Sequence, residues 1–392
     1  MNGKMIYGGI CAPPGFKASG VACGLKESGE LDLCVLASDA ECSAAGTFTS
    51  NAFRAAPVAV TIEHLEDGRL QAAVINSGNA NACTGERGLA DARAMAHSVA
   101  IELGIDDSQV AVASTGLIGG YLPMQKLEEG IKHAIGALHE GGAGEAARAI
   151  MTTDTYPKEL SFDFGDFSIG GMAKGAGMMK PNMATMLAFL TSDAQIDPRD
   201  LSAALRIAVD ASFNLVNIDG CTSTNDMVLA LASGTSRAKV KAEDFAAALL
   251  QVCSPLAHML VEDAEGSTRL IKIRIGGAFD HAEAKKLATA VAESPLVKTA
   301  FFGGDPNWGR IVQALGAAEP RLDPSKVSVK IGGLAVAERG ESGMVDPASL
   351  EGIMAVKEIE IDIDLSRGDS VIELLTSDLS YEYVRINAEY HT

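Results

Sequence analysis

Regular spacing of apolar residues predicts several amphipathic helices along the chain. Apolar side chains recur every three or four positions over residues 87–103, and again in the stretch that begins at Pro123. Each stretch therefore has one apolar stripe that can be buried against a core. Longer apolar and alanine-rich segments predict further helices at 243–264 and 281–293.

Alternating and short apolar runs predict strands in both halves of the chain. Residues 160–169 predict a hairpin with a two-residue turn, and residues 357–365 alternate cleanly between apolar and polar positions. Strands are also predicted at 58–62, 186–190 and 381–386. Helices paired with antiparallel strands in both halves indicate an α+β layered fold rather than alternating βαβ units.

A glycine-rich segment over residues 170–180 leads into the apolar strand at 186–190, and Thr185 stands at the junction. Glycine lets a backbone approach a ligand closely, while a buried strand would fix the threonine hydroxyl. The segment has neither the spacing of a phosphate-binding loop nor that of a dinucleotide-binding loop. A threonine at the start of a strand is most often only a β-former, so this segment alone does not establish a nucleophile.

Composition narrows the class of protein. A net charge of −19 argues against a nucleic-acid partner, which requires clustered lysine and arginine. Seven cysteines without Cys-x-x-Cys spacing indicate free thiols, and the first residues lack an apolar signal segment, so we expect a cytoplasmic protein. The seven histidines lack metal-binding spacing, so no metal site is expected.

A threonine nucleophile needs a base, and no histidine is evidently placed to serve. Cleavage of the peptide bond between Ala184 and Thr185 would supply one, because the new α-amine has a pKa near ~8. Thr185 Oγ1 could start the cleavage by attacking the Ala184 carbonyl. A predicted strand that ends in residues 114–116, Ser-Thr-Gly, could offer backbone N–H groups to an oxyanion, although a plain turn is the commoner use.

These segments together resemble the ornithine acetyltransferase (glutamate N-acetyltransferase) family of arginine biosynthesis. The resemblance spans nearly the whole chain. It is carried by motifs at residues 8–16, 76–85, 114–116, 174–187, 222–226 and 304–310, and by Asn387.

The resemblance implies a layered α/β/β/α sandwich of the ornithine acetyltransferase and β-peptidyl aminopeptidase type. It implies self-cleavage into fragments 1–184 and 185–392, which assemble as a heterotetramer of two fragments of each kind. It also implies acetyl transfer from N2-acetylornithine to glutamate through an acetyl ester on Thr185. The resemblance implies no cofactor and leaves open whether acetyl-CoA is a co-substrate.

Family roles map onto particular residues of this sequence. The resemblance implies that Thr115 and Gly116 form the oxyanion hole and that the cleavage site follows Ala184. The substrate contacts that it implies are Thr153, Lys174, Thr185, Glu265, Asn387 and Thr392. Cys221 and Ala264 depart from the family's pattern, which expects an acid and a glycine there. These two departures leave the substrate preference open.

Two other hypotheses remain at this point. The same fold could house a hydrolase or aminopeptidase in which water, rather than glutamate, resolves the acyl-enzyme. Lys174 and Glu265 would then matter less, because no acceptor site is needed. A non-catalytic protein that keeps the fold without cleavage is the other alternative, and the intact junction of Ala184 and Thr185 argues against it.

Overall fold

The computed structural model describes residues 2–180 and 186–389. Ala184, Thr185 and Thr392, which the sequence proposes for the site, lie outside the described residues. The strands are β1 (Lys4–Ile6), β2 (Phe16–Val21), β3 (Leu33–Phe48), β4 (Arg69–Asn79), β5 (Val110–Leu117), β6 (Lys158–Asp163), β7 (Ser168–Lys174), β8 (Leu187–Ser192), β9 (Val216–Asn217), β10 (Met227–Ala232), β11 (Leu270–Ala278), β12 (Ser328–Ile331), β13 (Leu334–Glu338), β14 (Glu341–Ser342), β15 (Glu358–Asp364) and β16 (Ser370–Ser377). The helices are α1 (Ala56–His64), α2 (Gly85–Leu103), α3 (Met124–Gly136), α4 (Ala143–Ala149), α5 (Pro198–Asp210), α6 (Ala242–Glu262), α7 (His281–Ala292), α8 (Pro295–Phe302), α9 (Trp308–Ala318), α10 (Pro347–Met354) and α11 (Tyr381–Glu389).

Within the described residues, the first sheet has nine strands in the order β1-β6-β7-β8-β10-β3-β4-β5, with β2 paired to the first half of β3. The long strand β3 pairs with β10 along its second half. Strands β8 and β10 are parallel and lie in the middle of the sheet, with Met227 opposite Leu187. The predicted fragments 1–184 and 185–392 therefore share one hydrogen-bonded sheet.

This sheet supplies two facing β layers. Val74 of β4 faces outward onto α2 and α3, whereas its neighbour Ile75 faces inward. Phe189 of β8 enters the same inner core as Ile75, and Leu190 points to the opposite side, onto α5 and α6. The four layers are thus helices, strands, strands and helices, which confirms the predicted α/β/β/α sandwich.

The second sheet, as far as the structure describes the chain, has seven strands in the order β14-β13-β12-β15-β11-β16-β9. One of its faces is apolar, with Ile273 and Ile361 buried beneath α7, α8 and α9. The other face carries charged side chains, including an ion pair between Arg274 and Asp362. Clean alternation along β15 gives this two-sided sheet, as the pattern at 357–365 predicts.

The strand prediction at 58–62 is wrong, because these residues belong to α1. Pro57 lies in the first turn of this helix, where its missing N–H costs nothing. Thr61 Oγ1 donates to the Val112 carbonyl at 2.7 Å and accepts from the Val112 N–H at 2.8 Å. Packing on β5 therefore overrides the preference of β-branched residues for strands.

The strand prediction at 381–386 is also wrong, since these residues form α11. Ser380 Oγ accepts hydrogen bonds from the backbone N–H groups of Glu382 and Tyr383, at 3.1 and 3.2 Å, which caps the first turn. Arg385 pairs with Glu382 and Glu389, one helical turn away on either side. These local signals outweigh the alternation of apolar residues.

Helix α6 is long and apolar enough, by length and composition, to cross a membrane. It packs instead in the core between α5 and the first sheet, with 56% of its most apolar window buried. Its buried side chains include Phe245, Leu249 and Leu256. Asp263 and Glu265 follow the last residue of this helix and lie at the candidate active site.

Candidate active site

A cavity of about 150 Å³ lies where β5, β7, the end of α6 and α11 come together. Six of the residues that the sequence proposes for the site line this cavity. They are Thr115, Gly116, Thr153, Lys174, Glu265 and Asn387. The fold therefore gathers into one place residues that are far apart along the chain.

Thr115 and Gly116 lie near the end of β5, alongside the parallel strand β4. Gly116 has a φ of 131°, and a Cβ at this position would lie 2.4 Å from the Gly78 carbonyl carbon. Only glycine fits this close approach of two backbones. The sequence Ser-Thr-Gly thus forms a tight strand end against the cavity rather than an ordinary surface turn.

Lys174 ends β7 and is only 4% exposed. Its ammonium donates to Thr152 Oγ1 at 2.5 Å and to Thr115 Oγ1 at 3.3 Å. Burial lowers the pKa of this ammonium, while the carboxylate of Asp154, 3.9 Å away, opposes that change. A lysine ammonium has three donors, and among the described residues these two hydrogen bonds use two of them.

A second buried lysine lies behind the first. Lys158 is fully buried, and its ammonium donates to Asp154 Oδ1 at 2.7 Å and to Asp263 Oδ2 at 2.5 Å. Asp154 also accepts from the backbone N–H groups of Thr152, at 3.1 Å, and Gly175, at 2.7 Å. Two lysines and two aspartates thus compensate one another's charge below the cavity floor.

The ionisation of Asp154 shows which effect prevails in this network. Burial opposes its negative charge, but the Lys174 and Lys158 ammonium groups outweigh burial and lower the pKa of the carboxyl to about 2. Asp154 is therefore ionised across the physiological range. Its charge fixes the loop at Thr152 to the turn at Gly175, and so sets the place of Lys174.

Glu265 lies beside the glycine-rich segment. Its backbone N–H donates to the Ala176 carbonyl at 2.9 Å, and a Cβ on Gly177 would lie 2.5 Å from Glu265 Oε2. Asn387 of α11 donates through Nδ2 to the same oxygen at 2.8 Å. The glycine therefore makes room for the carboxylate, and Asn387 holds it at the cavity.

The polar motif at 222–226 also reaches the cavity, although the sequence assigns it no role. Asn225 Nδ2 donates to the carbonyls of Ala80, at 2.7 Å, and Ser114, at 2.8 Å. It thereby ties the asparagine-rich loop to the end of β5. Thr152 and Asp154 were likewise missed, because their role depends on contacts with β7 that no local pattern indicates.

Lys174 also lies beside the start of β8. Leu187, the first residue of β8, is paired with Lys174 of β7. Met186 donates its N–H to Asp226 Oδ1 at 3.0 Å. The Asp226 side chain therefore holds the backbone of Met186 just before β8.

Known proteins match this chain over almost its whole length. A model of the ArgJ family matches residues 17–392. The arginine biosynthesis bifunctional protein ArgJ of Symbiobacterium thermophilum is 45% identical over 401 residues, which cover 99% of this chain and 100% of the relative. The protein of the same name from Mycobacterium tuberculosis H37Rv is 46% identical over 391 residues, covering 97% and 96%.

Solved structures are similar as well. An ornithine acetyltransferase from Mycobacterium tuberculosis, complexed with ornithine, has 45% identity and a TM-score of 0.45, and covers 46% of this chain and 99% of that chain. A β-aminopeptidase from a Burkholderia species has 12% identity and a TM-score of 0.44, with coverage of 67% and 88%.

The sequence matches cover almost the whole chain, so the chain is an enzyme. It belongs to the ArgJ family. The resemblance inferred from the sequence motifs is thereby confirmed.

Replacement of Asp154 by asparagine tests the buried charge network. Asp154→Asn removes the negative charge between two buried lysines, so we expect the free energy of unfolding to fall by about 3 to 5 kcal/mol in urea titrations at neutral pH. Because the pKa of Asp154 is depressed when folded, the wild type should lose this stabilisation as the pH falls from about 4 to about 2.

A matched control for this variant is Asp39→Asn, which breaks the exposed ion pair with Lys17. We expect its urea midpoint to stay close to that of the wild type. Equal stability of Asp154→Asn and the wild type would contradict the account of the network.

Proposed function

We propose that this chain transfers an acetyl group from N2-acetylornithine to glutamate through an ester on Thr185, in arginine biosynthesis. The proposal rests on one observation: Lys174 and Glu265 line the same small cavity, together with Thr115 and Gly116. Both substrates are amino acids that bear charges of both signs. A site that presents one cation and one anion suits them, whereas a hydrolase would need no acceptor pocket.

The proposed first half-reaction forms the acyl-enzyme. Cleavage between Ala184 and Thr185 frees the Thr185 α-amine, which takes the Oγ1 proton as Oγ1 attacks the acetyl carbonyl. Backbone N–H groups at Thr115 and Gly116 stabilise the tetrahedral oxyanion. Ornithine leaves with the proton on its nitrogen, and an acetyl ester remains on Thr185.

The proposed second half-reaction runs the same steps in reverse with glutamate. Its amine attacks the ester carbonyl, and the released Thr185 Oγ1 takes back a proton. Lys174 pairs with the α-carboxylate of either substrate. Glu265, oriented by Asn387, pairs with the free side-chain amine of acetylornithine, while Thr153 and Thr392 are further substrate contacts.

Three finer points belong to the same proposal. Acetyl-CoA serves as a second acetyl donor, a suggestion that rests on the word bifunctional in the relatives' names. Fragments 1–184 and 185–392 assemble as a heterotetramer, and the enzyme works in the cytoplasm. The family resemblance supports the assembly, and the unpaired cysteine pattern supports the location.

Removal of the Thr185 hydroxyl should abolish both cleavage and turnover. We expect Thr185→Ala to give a single chain of 40.6 kDa under denaturing conditions and to lose acetylglutamate formation by more than about 1,000-fold. Thr185→Ser, which keeps a hydroxyl, should still be cut and retain measurable transfer. Wild-type turnover in Thr185→Ala would rule out the mechanism.

Neutralisation of Glu265 should weaken donor binding. Glu265→Gln removes a charged partner of the ornithine amine, so we expect the KM for acetylornithine to rise about 10- to 100-fold in steady-state assays. Glu262→Gln is the matched control, because Glu262 ends the same helix but pairs with Lys357 at the surface. An unchanged KM in Glu265→Gln, or an equal rise in both variants, would contradict the assignment.

A further inference from the structure

Gly177 lines the cavity at a position where the backbone does not itself require glycine. Two residues earlier, Gly175 has a φ of 150°, which side chains disfavour. The φ of Gly177 lies outside that region, so it is one that other residues adopt. The reason for a glycine at position 177 must therefore be the space beside it.

That space is filled by the carboxylate of Glu265. A Cβ on Gly177 would lie 2.5 Å from Oε2, 2.6 Å from Cδ and 2.7 Å from Oε1, and these are its three nearest atoms. Such distances are too short for packed atoms, so a side chain at position 177 would displace the carboxylate. Because the carboxylate is the end of a flexible side chain, it can move without rearrangement of the backbone.

Other contacts fix where the displaced group normally stands. The Glu265 N–H donates to the Ala176 carbonyl at 2.9 Å, and Asn387 Nδ2 donates to Glu265 Oε2 at 2.8 Å. The same Nδ2 also donates to the Tyr383 carbonyl at 3.0 Å, which anchors the amide to α11. The Asn387 amide and the bare backbone of Gly177 together set the position of this negative charge.

The positive charge in the cavity is fixed as well. Lys174 is 4% exposed, and its ammonium donates to the hydroxyls of Thr152 and Thr115. In the proposed acetyl transfer, Lys174 pairs with the α-carboxylate of acetylornithine and Glu265 pairs with the side-chain amine. The number of methylene groups between these two substrate charges must then match the spacing of their partners in the cavity.

We propose that Gly177 determines which side-chain length the acetyl donor has. By leaving room for the Glu265 carboxylate, it sets a spacing that suits acetylornithine and disfavours diamino acids with one methylene fewer or one more. Gly177 is a positioning residue, because it acts through Glu265. The inference rests on the proposed acetyl transfer and adds to it the residue that selects among donors.

The test compares three acetyl donors with glutamate as the acceptor. They are N2-acetylornithine, the shorter N2-acetyldiaminobutyrate and the longer N2-acetyllysine. We expect wild-type kcat/KM to favour acetylornithine over each homologue by about 10- to 200-fold, the usual effect of one methylene. In Gly177→Ala the preference over at least one homologue should fall at least about tenfold, because the displaced carboxylate meets the amine at another distance.

Three further variants show whether the effect passes through the carboxylate. Glu265→Ala removes the group, so Gly177→Ala should change no preference in that background. Glu265→Asp withdraws the acid by one methylene and should raise the relative kcat/KM of acetyllysine about tenfold. Gly3→Ala is the matched control, because its Cβ would lie 2.7 Å from Phe164 Cε1, outside the cavity lining. It should keep the wild-type preference.

Urea titration of each variant separates a loss of fold from a change in selectivity. We expect the midpoint of Gly177→Ala to stay close to that of the wild type, since only a side-chain end is displaced. Should Gly177→Ala lose its fold, Glu265→Asp still tests the spacing, and an unchanged preference in Glu265→Asp would overturn the proposal.

The outcomes distinguish this inference from the function on which it rests. A wild type that transfers acetyl from none of the three donors would overturn the proposed function, and this inference with it. Transfer by the wild type with equal kcat/KM for all three would overturn the inference alone. So would a folded Gly177→Ala with the wild-type preference, an equal loss for every donor, or a changed preference that persists in the Glu265→Ala background.

Discussion

Mutual compensation of four buried charges is the constraint on which the candidate site depends. Lys158 and Lys174 share Asp154, and Lys158 also pairs with Asp263. Loss of one member would leave an uncompensated charge in a water-excluded place, which is far costlier than a broken surface pair. The network therefore ties the loop after α4, the end of β7 and the end of α6 into one rigid floor for the cavity.

The order of the strands in the first sheet determines which side chains lie next to the floor of the cavity. β7, β8 and β10 are neighbours in the first sheet, so Lys174, Met186 and Asp226 lie close together although they come from separate segments. The parallel pair of β4 and β5 brings Gly116 to the same cavity. The proposed cut between Ala184 and Thr185 precedes β8 in the chain, so the pairing of β8 with β7 would hold the two fragments together afterwards.

The sequence predicts the layered fold, because long motifs and periodic segments carry that information, and six of the residues that it proposes for the site line one cavity. The prediction of secondary structure fails where contacts beyond the local sequence pattern determine whether a segment forms a helix or a strand. Residues 58–62 form a helix because Thr61 bonds to β5, and residues 381–386 do so because of the Ser380 cap. Asp154 and Asp226 could not be assigned from the sequence, since an isolated aspartate reveals neither its burial nor its partners.

The proposed acetyl transfer requires Thr185 to become an N-terminal nucleophile that carries the acetyl group. The most direct measurement is the intact mass of the wild-type enzyme, denatured after brief exposure to acetylornithine without glutamate. We expect two fragments, 1–184 and 185–392, with one additional acetyl group on the second fragment and none on the first. A single uncut chain of 40.6 kDa, or acetylation confined to fragment 1–184, would contradict it.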